Sequence, residues 1–270
     1  MTHVPDLTGR IAVVTGAGRG LGRAISLALA SRGAVVALVA RSAAQLEETR
    51  RMIATAGGTA QAFPTDTTSQ ADVLDRLKPT VEAALGPPQI LVNGAGMYGP
   101  IALLQDSDPA EWVSTILVNT VGTYLCCRAF ASGMIASGWG RIINVTSAAT
   151  EHPPGPLNSA YVTSKVALNA LTRGLAAELD GMGVTANMIH PGDVKTEMWR
   201  EIRDRAAALG PVGAALSAWA EWVEQTGGDA PEKAADLLLY LVSDAAAEVN
   251  GQFLWIEGGL QSSEGMPWAD

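Results

Sequence analysis

Ile11-Ala-Val-Val-Thr15-Gly16-Ala-Gly18-Arg19-Gly20-Leu21-Gly22 is the stretch whose reading decides the fold. Its first five residues form a short, almost wholly apolar run of the kind that makes a buried strand. Four glycines then follow within seven positions, and a helical pattern opens at about 21–32. Glycine lets a backbone turn tightly and approach a ligand with no Cβ in the way. The helix N-terminus beyond it offers free N–H groups and a partial positive charge, which suits a pyrophosphate. The usual G-x-G-x-x-G spacing does not fit. Here it is Gly16-x-x-x-Gly20-x-Gly22, with Gly18 extra. A glycine-rich turn that holds no ligand is the alternative reading of this stretch alone.

The same alternation continues outward from it. Ile11–Thr15, Val35–Ala40, 60–64 and Ile90–Asn93 read as the first four strands, and 142–146, Val184–His190 and 252–256 as three more. Helical patterns lie between them at about 21–32, 43–56, 69–85, 108–136, 160–181 and 231–243. Alternating strand and helix is the signature of βαβ units. The expected fold is therefore α/β, a Rossmann-type doubly wound parallel sheet of about seven strands flanked by helices, in one domain over 1–270. Segment 193–228 is too long for a simple connection. Val212, Leu216, Trp219 and Val223 recur there at helical spacing, which predicts one or two helices over the site.

Composition narrows the partners. A formal charge of -9 argues against nucleic acid or an anionic membrane surface. The polar start with Pro5 reads as no secretory leader, and no apolar run is expected to approach the ~18 residues of a membrane span. Cys126 and Cys127 are adjacent and have no other cysteine to pair with, so they read as core thiols. His3, His152 and His190 are too scattered for a metal site. A cytoplasmic protein with a small-molecule partner is the expectation.

Chemistry is signalled by Tyr161 and Lys165. Four residues apart, they share one helix face. A phenol with an ordinary pKa of about 10 is a poor acid or base at neutral pH, and a neighbouring ammonium lowers it. The pair alone recurs by chance in many helices; further elements give it weight. Loop 15–22 resembles the T-G-x-x-x-G-x-G loop of the short-chain dehydrogenase/reductase family. Asn93-Gly94-Ala95-Gly96 resembles that family's N-N-A-G or N-A-A-G element, with Gly94 a small departure. Asn119 stands in Leu-Val-Asn-Thr, and Ser147 ends Ile-Ile-Asn-Val-Thr-Ser, 14 positions before Tyr161. Pro191-Gly192-Asp193-Val194-Lys195-Thr196 resembles P-G-x-V-x-T, and Gly251-Gln252 and Gly258-Gly259 resemble the terminal G-Q and G-G. The resemblance covers about 8–260.

The resemblance implies a catalytic set of Asn119, Ser147, Tyr161 and Lys165. Tyr161 exchanges the proton of a carbonyl or carbinol oxygen, Lys165 lowers its pKa and holds the nicotinamide ribose, and Ser147 donates to the developing alkoxide. Asn119 interrupts its helix and holds a water leading from Lys165 to solvent. A cofactor contact is implied for Gly16, Arg19, Gly20, Leu21, Gly22, Arg41, Asp66, Thr67, Asn93, Ala95, Gly96, Pro191, Gly192, Val194 and Thr196, besides Tyr161 and Lys165. After the second strand an acidic residue would select NAD and an arginine a 2′-phosphate. Ala40 fills the acidic position and Arg41 follows, with Arg19 in reach, so NADP(H) is expected over NAD. Both arginines being mere surface charges is the alternative.

Substrate is less legible. Met97, Tyr98, Ala148, Ala149, Val194, Met198 and Trp199 are read as pocket residues, with His152 reaching in from the loop after Ser147. They favour a neutral, hydrophobic or aromatic ketone or secondary alcohol. Trp112 and Trp139 read as packing residues, while Trp199, Trp219 and Trp222 fall in the covering segment and Trp268 in the tail at 261–270. A 3-oxoacyl-carrier reductase would need a basic docking patch, for which Arg200, Arg203 and Arg205 are candidates diluted by Glu201 and Asp204. A non-catalytic NADPH-binding regulator is the rival from another class. Family members usually form homotetramers, with a dimer the alternative. Ala167, Ala170 and Gly174 would admit a close helix neighbour, or would face the sheet.

Overall fold

The computed structural model describes residues 5–152 and 155–259. Seven parallel strands form one sheet in the order β3-β2-β1-β4-β5-β6-β7. They are β1 (Ile11–Thr15), β2 (Val35–Ala40), β3 (Thr59–Pro64), β4 (Ile90–Asn93), β5 (Gly140–Val145), β6 (Val184–His190) and β7 (Phe253–Trp255). Strand periodicity assigns the side chains to two faces. Ala12, Val14, Val36, Leu38 and Ile143 point to one face, where α1 (Gly20–Ser31), α2 (Ala43–Thr55) and α9 (Pro231–Leu241) supply Ile25, Leu29, Leu46, Ile53 and Leu238. Val13, Ala37, Val39 and Ile142 point to the other. There α3 (Lys78–Leu85), α5 (Gly122–Ser137) and α6 (Ser159–Glu178) pack Val81, Cys126, Phe130, Met134 and Ala176 against them. Because both faces are covered, the central strands β1, β2 and β4 are almost wholly apolar, as buried parallel strands are, whereas the edge strand β3 is largely exposed.

Two helical stretches differ from the sequence expectation, while a third, at 193–228, meets it. The run expected at 108–136 is α4 (Pro109–Ile116), a π-helical turn at Leu117–Val121, and α5. Asp108 caps α4 by accepting from Ala110 N–H, and Gly138, left-handed at φ 66°, ends α5. The run at 69–85 likewise begins with a π-helical segment, Ala71–Leu77. Segment 193–228 holds two helices, α7 (Glu197–Ala208) and α8 (Ala214–Thr226). Taken as one helical run, Pro109–Ser137 is also long and apolar enough to cross a membrane, contrary to the expectation that no such run exists. Half of its most apolar window is buried inside the protein, where Leu125, Cys126, Phe130 and Met134 meet the sheet.

Strand order reverses direction between β1 and β4. In open α/β sheets the crevice at that point, beyond the carboxyl ends of the strands, is where ligands bind. The loops after β1, β4, β5 and β6 all end there.

Candidate active site

The glycine loop is built by close backbone approaches. A Cβ on Gly16 would lie 2.8 Å from the Gly94 carbonyl oxygen, and one on Gly22 would overlap the Gly16 carbonyl. The loops after β1 and β4 therefore touch where only glycine fits. Gly20 opens α1 at φ +52°, and Arg19, at the N-cap, makes no side-chain bond to the first turn. From beneath, Arg23 donates to the Gly18 carbonyl at 2.6 Å and Thr49 Oγ1 to that of Ala17 at 2.9 Å. Leu21 turns its side chain to the core, so only its backbone faces the loop. Ala95 N–H donates to Thr15 Oγ1 at 3.1 Å, which fixes the second loop against the first.

Other expected cofactor positions are arranged around this frame. Arg41 is exposed at the end of β2, just before Ser42, the N-cap of α2. Arg19 forms an ion pair with Glu197 in the first turn of α7. Asp66 accepts from Thr68 N–H at 3.0 Å, making the turn that sets Thr67 against Gly122. Asn93 ends β4. Its side chain is buried and donates to Asn144 Oδ1 at 2.9 Å, so it braces β4 against β5 and only its backbone is near the crevice. Gly192 has φ +83°, and a Cβ there would overlap Ile256. Val194 and Thr196 line a cleft of about 300 Å³ with Gly20, Gly228 and Pro231, and Thr196 Oγ1 caps α7 through Trp199 N–H.

Asn119, Ser147, Tyr161 and Lys165 converge at the carboxyl ends of β4 and β5. Asn119 sits in the π-helical turn and is fully buried. Its Oδ1 accepts from Met97 N–H at 2.9 Å, and its Nδ2 donates to the Met97 carbonyl and to Ser164 Oγ, both at 2.9 Å. Lys165 reaches back from α6 and donates from Nζ to the Val145 carbonyl at 2.8 Å. A Cβ placed on Gly96 would be 3.4 Å from Asn119 Oδ1 and 3.7 Å from Lys165 Nζ, so Gly96 keeps this space open. Ser147 accepts from Ala149 N–H at 3.2 Å, and its hydroxyl lies near enough to the Tyr161 phenol to favour the phenolate. The adjacent Ala148 N–H donates to Nδ1 of His190, at the end of β6, at 3.1 Å.

Burial governs the titration of the pair. It pulls the Lys165 ammonium down to about 8. The Tyr161 phenol is raised above its ordinary value, by burial first, against the Ser147 hydroxyl and together with the nearby charge of Asp193. The expectation that Lys165 lowers the phenol is thus not met in this state. The ammonium lies 5.7 Å from the Tyr161 ring centre and is directed at Val145, so loss of water outweighs its field.

Helices α7 and α8 close over the tyrosine. Tyr98 stacks on the Tyr161 ring with centroids 4.6 Å apart, and Ile101, Leu157, Met198, Ile202, Leu216 and Trp219 pack around them. Arg205 fastens α7 by donating to Glu111 on α4 at 2.9 Å and to the Gly99 carbonyl at 3.2 Å. Tyr98 thus lies where the sequence places a pocket wall. Met97 points its sulfur at Ser114 on α4. Trp199 does not join this wall. It is buried between Lys195 and Arg203, and Trp219 packs on the cluster around Tyr98 and Tyr161 instead. His152 lies against the Trp255 ring at 6.0 Å. Sequence reasoning gave no role to Asp193, whose carboxylate accepts from Trp219 Nε1 at 3.1 Å. The available signal was a lone acidic residue directly after Pro191-Gly192 in an otherwise apolar set. Among the described residues no group of His, Cys, Asp and Glu could hold a metal ion. Trp268, His3 and the tail at 261–270 lie outside the described residues.

A glycine cradle, an open helix N-terminus and a half-buried Lys–Tyr–Ser cluster at one sheet end fit a dinucleotide with its reacting ring beside a phenol. A sequence model of the short chain dehydrogenase family matches residues 10–207. This chain belongs to the short-chain dehydrogenase/reductase family. It is similar to the galactitol 2-dehydrogenase (L-tagatose-forming) of Cereibacter sphaeroides, with 36% identity covering 94% of this chain and 95% of that protein. It is also similar to the 3-oxoacyl-acyl-carrier-protein reductase FabG of Pseudomonas aeruginosa, 33% identical over 96% of this chain and 100% of the relative. Among solved structures, a single-residue variant of actinorhodin polyketide ketoreductase with NADPH superposes with a TM-score of 0.85 at 27% identity, covering 96% of this chain and 99% of that one. NAD+-bound xylitol dehydrogenase superposes at 0.84 and 26%, covering 93% and 99%. The chain is an NAD(P)-dependent oxidoreductase acting at the alcohol–ketone level.

Proposed function

We propose that this short-chain dehydrogenase/reductase interconverts a neutral ketone with an apolar body and its secondary alcohol, preferring NADP(H), with Tyr161 as the proton-exchanging group. The observation that carries it is the convergence of Ser147, Tyr161 and Lys165 at one sheet end, with Lys165 one helical turn from the tyrosine and donating to the Val145 carbonyl. A bound nicotinamide dinucleotide supplies or accepts the hydride. Gly16, Gly20, Gly22 and Gly96 give it room, and Lys165 has further N–H bonds with which to hold a ribose. In reduction Tyr161 gives its proton to the carbonyl oxygen while the Ser147 hydroxyl steadies the growing negative charge. In oxidation the same phenolic oxygen takes the proton back. Asn119, with Oδ1 and Nδ2 both engaged, holds the Met97 backbone and thereby the wall bearing Tyr98. Trp219, Met198, Leu216 and Tyr98 exclude water and favour an apolar body.

Cofactor choice rests on Arg41, exposed beside the end of β2, where Ala40 leaves no carboxylate for a ribose hydroxyl. Arg19 joins it only by leaving Glu197. Acyl-carrier reduction is disfavoured by two of the three candidate docking arginines. Arg205 is engaged by Glu111, and Arg203 by Asp204 and the Trp199 ring. Buried, free Cys126 and Cys127 fit a reducing, cytoplasmic setting. The test is spectrophotometry at 340 nm with NADPH and NADH against aromatic, alicyclic and 3-oxoacyl thioester carbonyls. NADPH oxidation with an aromatic or alicyclic ketone is expected, and Arg41→Ala should cut the NADPH/NADH ratio of kcat/KM by about tenfold or more. Equal kcat/KM with both cofactors in the wild type overturns the preference. Turnover of thioesters alone overturns the substrate class.

A further inference from the structure

We propose that Asp193 is a specificity-determining residue whose carboxylate takes a hydrogen bond from a second hydroxyl of the substrate, so that the preferred alcohol is a vicinal diol and the preferred ketone its α-hydroxy ketone. This rests on the oxidoreductase reading above and narrows its substrate. Asp193 is fixed from three sides. Its N–H donates to Asp229 Oδ2 at 3.0 Å, its carbonyl accepts from Asp229 N–H at 3.0 Å, and its Oδ1 accepts from Trp219 Nε1 at 3.1 Å. Trp219 in turn packs in the same cluster as Tyr161, Tyr98 and Met198. The carboxylate is therefore tied to an indole that packs on the same cluster as the tyrosine, and its charge is felt at the phenol.

What it lacks is a cation. Among the described residues no Lys, Arg or His pairs with Asp193. The neighbouring Lys195 is paired with Glu224 at 3.0 Å, and Lys233 with Asp229 at 2.9 Å. Partial burial raises the Asp193 carboxyl, and its one side-chain donor is a neutral indole. A carboxylate accepts up to about four hydrogen bonds, so most of its capacity is left for a ligand. An apolar alcohol entering beside it would displace water and return no donor, which is costly for a charged group. A hydroxyl on the carbon next to the carbinol supplies that donor without adding charge. Anionic substrates meet repulsion from Asp193 and Asp229 together. Sites built to hydrogen-bond a substrate hydroxyl reject analogues lacking it far more strongly than apolar pockets reject a missing methylene.

The experiment compares cyclohexanol with cyclohexane-1,2-diol as substrates, in wild type, Asp193→Ala and Trp219→Phe, with NADP+. The wild type is expected to favour the diol in kcat/KM by about tenfold or more, and Asp193→Ala to bring the ratio within about twofold of unity. Trp219→Phe removes the indole bond but leaves the carboxylate. It should slow both substrates alike and keep the ratio, which separates recognition from damage to the covering helices. An unchanged ratio in Asp193→Ala, or equal loss of ratio in both variants, overturns the proposal. So does preference of the wild type for the plain alcohol, or for 2-aminocyclohexanol over the diol, the latter assigning the carboxylate to an ammonium. Absence of turnover with every alcohol and ketone while NADP+ binds would overturn the oxidoreductase reading itself, a distinct result from an altered ratio.

Discussion

Two buried residues hold charges or protons at a cost that water would otherwise remove. Burial keeps the Tyr161 phenol protonated at neutral pH, so the resting protein carries the acid that the proposed reduction draws on. Its conjugate base is populated only in alkali, and oxidation of the alcohol should accelerate as pH rises while reduction is favoured near neutrality. Tyr161→Phe should lower kcat at least about a hundredfold and leave the NADPH dissociation constant nearly unchanged, as fluorescence titration would show. Loss of cofactor binding in that variant would make the phenol structural. Lys165 presents the opposite sign of problem. Its native pKa of about 8 lies below the unfolded 10.5, so the native state binds fewer protons over that interval. Stability is therefore reduced below pH 8 and recovers as pH rises toward 10.5. The charge burden is on the order of 3 kcal/mol, less the bond to Val145 that a variant would forfeit. Lys165→Met should melt at higher temperature than wild type at pH 7 while losing activity, and the gap should close above pH 8. Calorimetry showing a constant gap from pH 7 to 10 would mean that the lysine's charge is not what destabilises the site.

At the scale of elements, strand ends are held to one another by side chains that cross between them. His190 closes β6 and accepts Ala148 N–H from the turn that follows β5 and bears Ser147. Burial first, against the charge of Asp229, lowers its pKa to about 4. The neutral ring is the acceptor, and the unfolded value is 6.5, so this contribution is complete above pH 6.5 and lost as pH falls toward 4. His190→Leu should reduce kcat about tenfold by freeing the Ser147 turn, and His190→Asn, whose Oδ1 can replace Nδ1, should restore most of it. Steady-state kinetics with unchanged kcat in the Leu variant would leave the histidine a packing residue. These cross-strand ties were not readable from the sequence, whereas the strands were, because apolar runs register burial and not partners. Of the covering helices, α8 was legible through Leu216, Trp219 and Val223, with Val212 just before it, yet which tryptophan joins the tyrosine's cluster was not. Trp199 and Trp219 are separated by rotation about two helices, which only packing decides. The π-helical turn at Leu117–Val121 was foreshadowed by Asn119 but had no periodic signature. It exists beside a tertiary anchor, the two bonds from Asn119 to the Met97 backbone.

For the whole molecule, parallel order and two-sided burial followed from strand–helix alternation, and the crevice followed from where the glycine loops fall. Arg19 shows the limit of such reading. Its position was evident, but its ion pair with Glu197 comes from a segment far along the chain. Assembly is the remaining property carried by the surface. Ala170 and Gly174 on α6 face outward, not toward the sheet, and among the described residues no neighbour lies within 4 Å of a Cβ placed on Gly174. Val166 beside them is 49% exposed, and on the neighbouring α4–α5 run Val113, Leu117 and Tyr124 are 50%, 40% and 45% exposed. Apolar residues scattered singly need no explanation, but these lie on adjoining helices, α4 and α6 being joined by the Trp112–Ser159 bond. A stripe of small residues lets a second copy's helix approach closely, and a stable interface needs roughly 800 Å² from each partner. We expect a homotetramer in light scattering behind size exclusion, with the double substitution Val166→Glu and Gly174→Trp falling to dimer or monomer. The substitutions lie on the exposed side of α6, away from the glycine loop, so NADPH affinity should persist in the smaller species. A monomeric wild type, or a double variant that stays tetrameric, would show that this face is not the one that assembles.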